Sequence, residues 1–395
     1  MADYFRILQQ QLAAKIEAIA GTFENLAATE VKLRPFQSEF SYTPDRMRFA
    51  NDEVAEDIGQ AVDFTAGAKA SIGVGFALKT AGVVGTIPAI APYLRGCGMQ
   101  AEVVHAITIG APTGGAASFV EGDPYTIGAG GKTGTIEQTI SAGGSLHYVP
   151  ITGGALASAD VVTVGSCTAT ASSADALYAY KFRPRSTSQS TLSVRRGIKN
   201  SVGTASEDYL TIIKGAMGDG SLELTALDIA RFKGTFTGVI HSEAAGAFFS
   251  GYTYETGTPP TFTNATVQIN GVAVHPDNIS LAFGNAVEMD PDPTTGGGAA
   301  GYSVANISGR KPTLTITPYR QTPTVLDDLG IHASGATATL LVRFGVTPQI
   351  IEIVAPHAQL TGWAPGNRAG LETAALTFAL TRDALVDNEY AIYFR

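Results

Sequence analysis

The sequence predicts a mainly β protein, an antiparallel β-sandwich or open barrel with a short helix and a small inserted β domain. Three observations carry this. Ser221–Gly238 alternates cleanly, with Leu222, Leu224, Phe232 and Phe236 on one face and Glu223, Thr225, Arg231 and Lys233 on the other. Asn270-Gly271 sits between two alternating runs, Val267–Ile269 and Val272–Val274, which is a strong short hairpin signal. Nowhere do strands alternate with helical stretches, so a parallel α/β sheet is excluded.

Taken in order, residues 4–20 read as the one long helix. Phe5, Leu8, Leu12, Ile16 and Ile19 step by three or four, Asp3 stands where a cap is needed, and Gly21 follows the last apolar residue. Val31–Phe40 alternates and reads as a strand. Tyr42–Gln60 breaks periodicity and reads as a long loop, a length that is usually functional or disordered. Strands resume over Ala61–Lys79. A short apolar helix is expected over 87–96, with Thr86 as cap, Pro88 in the first turn and Gly96 as left-handed terminator. Its face is Ile87, Ile90, Ala91 and Leu94. Beyond the 221–238 and Asn-Gly hairpins, strands are expected at 279–283, 313–317, 337–344, 349–354, 371–381 and 389–394. The count comes to about a dozen strands.

Residues 111–176 differ in texture, with no Arg, one Lys (Lys132) and repeated Gly, Ala, Ser and Thr between short β runs. The stretch reads as a small β domain inserted into a surface loop, where insertions cost little; a long loop is the alternative. The expected organisation is therefore 1–110 and 177–395 as one core, interrupted by 111–176.

Composition narrows the function. Of the 395 residues only 15% are charged and 45 are glycine, so much of the surface is neutral, which suits a protein covered by copies of itself. The net charge of −9 argues against a protein that grips nucleic acid, because that affinity comes from Lys and Arg neutralising phosphates. Two isolated cysteines, Cys97 and Cys167, make neither a disulfide framework nor a zinc site and are expected to be buried and reduced. Asp3 and Gln9–Gln11 stand where a signal peptide needs an apolar core, so none is expected and folding in a bacterial cytoplasm is. The most apolar stretch, Ile72–Leu94, carries Lys79, three glycines before Gly85 and two prolines, and does not read as a membrane span.

Constellations that carry chemistry fail on spacing. Gly128–Thr133 lacks the first glycine of a phosphate loop, that position being Thr126. Gly73-Val74-Gly75 is followed by Leu78 where a dinucleotide fingerprint needs its third glycine. His241-Ser242-Glu243 has no Pro-Cys-x-x-Cys partner, and no Gly-x-Ser-x-Gly occurs. Asp290-Pro291-Asp292 with Gly296–Gly298 offers oxygen ligands for a hard cation, but a solvated turn explains it as well. The expectation is no enzyme, no cofactor and no metal.

Five segments then resemble, in the right order, the tail tube proteins of long-tailed bacteriophages. The helix ending Leu94–Gly98 (LRGCG) resembles that family's "LLRACG" helix. Ala14–Phe23 (AKIEAIAGTF), Lys214–Gly220 (KGAMGDG) with Phe232–Gly238 (FKGTFTG), Ile307–Gln321 (ISGRKPTLTITPYRQ) and Asn388–Arg395 (NEYAIYFR) are similar to its other signatures. Ile19-Ala20 depart from it, since the family usually has an aromatic before the glycine.

The resemblance implies a structural virion protein forming hexameric rings that stack into a tube. Its partners would be further copies, a tape measure protein, tail terminator and distal tail proteins, with transient passage of DNA and no membrane. It implies that Tyr42–Gln60 reaches the next ring, with Arg46 and Arg48 near its start and Asp52, Glu53, Glu56 and Asp57 near its end as candidate inter-ring contacts. Glu223, Thr225, Arg231 and Lys233 are candidate lumen residues, although solvent on an ordinary sandwich explains their charge equally. A distal tail or baseplate component is the nearest alternative. A secreted carbohydrate-binding β protein is another, disfavoured by the missing signal peptide and by Trp363 being the sole tryptophan.

Overall fold

Alternation of apolar and polar side chains is the local rule from which the architecture grows, and it holds along strand after strand. The computed structural model describes residues 5–49, 64–127, 131–200, 207–293, 301–382 and 387–395. Its strands in chain order begin with β1 (Phe5–Ile16), β2 (Ser41–Phe49), β3 (Phe64–Ala77), β4 (Met99–Ile109), β5 (Pro124–Ile127), β6 (Thr133–Ile136), β7 (Gly144–Thr152), β8 (Val161–Val164) and β9 (Cys167–Thr170). They continue with β10 (Ala176–Pro184), β11 (Leu192–Asn200), β12 (Asp208–Thr225), β13 (Arg231–Gly246), β14 (Thr266–Ile269), β15 (Val272–Ala273), β16 (Pro276–Ala282) and β17 (Asn285–Asp292). The last are β18 (Gly301–Arg310), β19 (Thr313–Pro318), β20 (Thr337–Val346), β21 (Gln349–Arg368), β22 (Leu371–Leu380) and β23 (Ala391–Phe394). Two short helices, α1 (Ala91–Gly96) and α2 (Asp328–Ser334), complete the described elements. The protein is mainly β and antiparallel throughout, as the alternation requires.

Two sheet regions enclose the main core. The first runs β1-β11-β12-β13-β3-β2, all neighbours antiparallel. The second runs from the lower half of β12 through β16, β19, β22, β21 and β20 to β14. The core between them is large, with Ile72, Phe76, Leu94, Phe232, Phe236 and Phe283 all at most 1% exposed. Within β12–β13, Leu222 faces Phe232 and Glu223 faces Arg231, as the sequence pattern required. The Asn-Gly hairpin forms as β14–β15.

Residues 107–171 gather a second hydrophobic cluster around Phe119, Tyr125, Leu146, Tyr148 and Val162. It is built on β5–β9, and it starts before residue 111, because Ile107 and Ile109 at the end of β4 belong to it. β4 joins this cluster to the main body by pairing with β7 on one side and β10 on the other.

Several expectations need correction. The helix expected over 4–20 is absent from its described part, residues 5–20; Phe5–Ile16 is strand β1, paired with β11. A step of four is also an even number, so Leu12 and Ile16, with Ala14 between them, line one face of a strand just as well. Val31–Phe40 is not a strand; two 3-10 turns, Ala28–Glu30 and Gln37–Glu39, border and enter it. Pro35 stands in the middle of it and cannot donate to a ladder. The expected loop from Tyr42 is a strand as far as Phe49. The short helix starts later than expected, with Pro92 in its first turn and Ile90 at the cap position without a side-chain cap. Thr86 and Pro88 lie outside it, and Ile87 is 46% exposed. The left-handed residue that ends it is Gly98, with φ 77°, and not Gly96. Strands also outnumber the expected dozen, because pairs as short as β14–β15 and β8–β9 leave little periodic signal.

Helix α2, unforeseen, begins at Asp327, whose carboxylate accepts from the Gly330 N–H at 2.9 Å, and ends on Gly335 with φ 64°. No helix among the described residues is long and apolar enough to cross a membrane. Cys97 and Cys167 are free and buried.

Candidate functional site

Strand β2 has one strand neighbour, β3, among the described residues, so one backbone edge is unpaired. Its side chains from Thr43 to Arg48 are all exposed. Pro44 lies opposite Ala70 in the β2–β3 ladder. A proline has no N–H, so an intact ladder needs its nitrogen to face away from β3. Backbone direction alternates along β2, and the register shift between Arg46 and Met47 puts its extra residue, Gly67, in β3, so Tyr42, Arg46 and Arg48 direct their N–H and C=O outward with Pro44. The β2 edge thus offers a partner strand three residues with full bonding capacity and one without.

At the opposite margin of the same sheet, β1 is closed over Gln11–Ala14, all buried, where Leu26 and Val31 pack on Ala13. Towards its outer end β1 reaches the surface, Gln9 being exposed and Gln10 half-buried.

Between these margins a polar belt crosses the sheet. In the ladder register Arg196 on β11 is opposite Thr211 on β12, which is opposite Glu243 on β13. Arg196 donates to the Gln10 amide oxygen at 3.1 Å and lies over the rings of Phe40 and Tyr42. The Tyr42 hydroxyl donates to Glu243 at 2.5 Å, and Arg46 donates to the other oxygen of the same carboxylate. Burial and the Glu243 anion push the Tyr42 phenol well above its ordinary range, so it stays a donor. Both Tyr42 and Arg46 of β2 are thereby anchored on Glu243 of β13.

The expected site residues fall in different places. Arg46 and Arg48 are on β2, Arg46 tied to Glu243 and Arg48 exposed. Asp52, Glu53, Glu56 and Asp57 lie outside the described residues, as does the Gly296–Gly298 part of the candidate cation loop. Glu223, Thr225, Arg231 and Lys233 cluster at the far end of the β12–β13 hairpin. There Lys233 bridges Glu223 at 2.7 Å and Glu39 at 3.3 Å, while Arg231 reaches Asp228 and the Phe36 ring. The Glu223 hydrogen bond comes first among the causes that raise Lys233 above the usual lysine range. Thr225 is exposed at the strand end. The structure therefore brings these four together, away from the Arg46–Glu243 belt.

A second polar site leaves no signal in the sequence. A cleft of about 350 Å³ lies between residues of the 107–171 cluster and the main body, lined in part by Glu121, Glu137, His147, Tyr178, Glu352 and Tyr393. His147 stacks on Tyr178 at 3.7 Å, and the Arg395 guanidinium lies 4.0 Å from the same ring. Burial, then the Arg395 charge, holds His147 down to about 4 against an ordinary 6.5. The unfolded chain therefore takes up this proton at a higher pH than the folded one. Its contribution to stability is complete above about 6.5 and is lost as the pH falls through 4. The expected result of an NMR titration is a His147 ring that stays neutral at pH 5.5 to 6; a ring titrating near 6.5 would mean that water reaches it freely.

No protein-family model and no curated protein matches the chain.

Proposed function

We propose that this chain is a self-assembling structural protein, a tail tube subunit of a long-tailed phage or phage-like particle, closing into hexameric rings that stack. The observation that carries the reading is the six-stranded antiparallel sheet with its exposed edge at β2. An unpaired edge of nine residues is a hazard to a protein that stays single, and copies of the same chain can satisfy it. The strand number makes this geometrically simple. With six alternating strands, β1 and β2 run in opposite directions, so the β2 edge of one copy meets the outer end of the next copy's β1 in antiparallel sense. Rotation about a ring axis preserves that relation, and every contact in the ring is then the same.

The sparse charge and the order of the five tail-tube-like segments support the reading, as does the net −9, which disfavours retention of DNA along a conduit. In this reading the chain works without catalysis, and its partners are its own copies, a tape measure protein and the proteins that end the tube. Sedimentation velocity and negative-stain imaging of the full chain at raised concentration test it. Six-fold rings or tubes are the expected result. A monomer at every concentration, with no tube in the parent particle, would overturn it.

A further inference from the structure

We propose that Lys181 and Glu137 condense into an intramolecular amide bond that ties the 107–171 lobe covalently to β10. The two side chains are in direct contact and are 8% and 7% exposed. Lys181 lies on β10, opposite Glu102 of β4, while Glu137 follows β6 and is held by its own N–H on the His147 carbonyl at 2.9 Å. The carboxylate of Glu102 is occupied by Arg183 at 2.8 Å. A small apolar cluster packs alongside, with Val104 and Ala179 fully buried, Val149 nearly so, and Tyr393 against it.

Such a setting penalises an ion pair and favours its neutral products, because both charges must be held out of water. It also keeps the reacting atoms together, which removes most of the entropic cost of joining them. A proton passes from the ammonium to the carboxylate, giving amine and acid. The Nζ lone pair then attacks Glu137 Cδ, one C–N bond forms, and one C–O bond breaks. The carboxyl oxygen departs as water with the two protons the nitrogen has lost, so atoms and charge balance without an oxidant, reductant or cofactor.

One neighbour suits this step. The Tyr393 hydroxyl is 3.4 Å from Glu137 Oε2, where it orients the carboxyl group.

The test is an intact-mass measurement of the purified full chain under denaturing conditions after prolonged incubation at neutral pH. A mass lower by one water is expected, together with loss of tryptic cleavage after Lys181 and a branched peptide joining residues 137 and 181. Lys181→Arg should restore the full mass. Full mass with free cleavage after Lys181 in the unsubstituted chain means an ion pair only and overturns the proposal, as does a water deficit that survives in Lys181→Arg. The outcome does not depend on whether the chain forms rings.

Discussion

Replacing Glu17 by alanine lowers the stability of the fold by about 3–5 kcal/mol, the largest effect expected of any single truncation outside the apolar core. Glu17 directly follows β1 and is 6% exposed. Its carboxylate accepts from the Thr191 hydroxyl at 2.7 Å, the Ser193 hydroxyl at 2.8 Å, the Gly215 N–H at 2.7 Å and the Gly21 N–H at 2.8 Å. The four donors come from the turn after β1, the start of β11 and the irregular point in β12. Alanine leaves them facing one another without an acceptor, and buried donors without partners cost about 1–3 kcal/mol each where water does not reach them. Gly215 cannot readily shift to compensate. Its φ is 57°, and a side chain there would press on the Gly21 and Val304 backbone, with atoms 3.2 Å away. Glu17→Gln should fall between, since one oxygen still accepts while its NH2 opposes two donors. Urea unfolding followed by circular dichroism measures this, and a loss below about 1 kcal/mol would mean that water or rearrangement satisfies the site.

Arg48→Pro should leave the subunit folded and raise the concentration needed for assembly roughly tenfold or more, one missing outward hydrogen bond per contact being worth about 1 kcal/mol or more in a repeated interface. With Pro44 facing outward, the Arg48 N–H also lies on the open side of β2, where its removal does not disturb the β2–β3 ladder. Met47, which would precede the new proline, is already in a strand and so meets the extended geometry proline demands of it. Arg48→Ala removes the charge and keeps the N–H, and it should assemble nearly as the parent does. If Arg48→Pro forms rings at the parent concentration, the β2 edge is not the ring contact, whatever the chain's larger role.

What the sequence discloses depends on whether the cause is local. The β12–β13 hairpin is legible because its alternation and its turn lie within 18 consecutive residues, and β14–β15 is legible through Asn270-Gly271. β1 misleads because Leu8, Leu12 and Ile16, four apart, satisfy both the helical and the strand period. The α1 helix is shifted because Pro88 and Pro92 both fit a first turn, and what decides between them is burial: Leu94 and Ala91 are fully buried while Ile87 is not. The belt has no local signature at all. Thr211 comes to lie between Arg196 and Glu243 in the ladder only when three strands have found their registers. The same is true of Lys181 and Glu137, which lie 44 residues apart and are brought together by the strand order β10-β4-β7-β6.

The double membership of β12 has a mechanical consequence. Its first half is laced to β11 through Ile198↔Tyr209 and its neighbours, and its second half to β16 through Ser221↔Ala282 to Thr225↔Asn278. Sliding the two layers past each other would therefore require tearing one ladder or the other, many bonds loaded together in shear and not peeled one at a time. A subunit built this way transmits an axial pull from one layer to the other through its own backbone. In the proposed assembly, stretch along the direction of β12 would fall on the joints between copies before it fell on the fold.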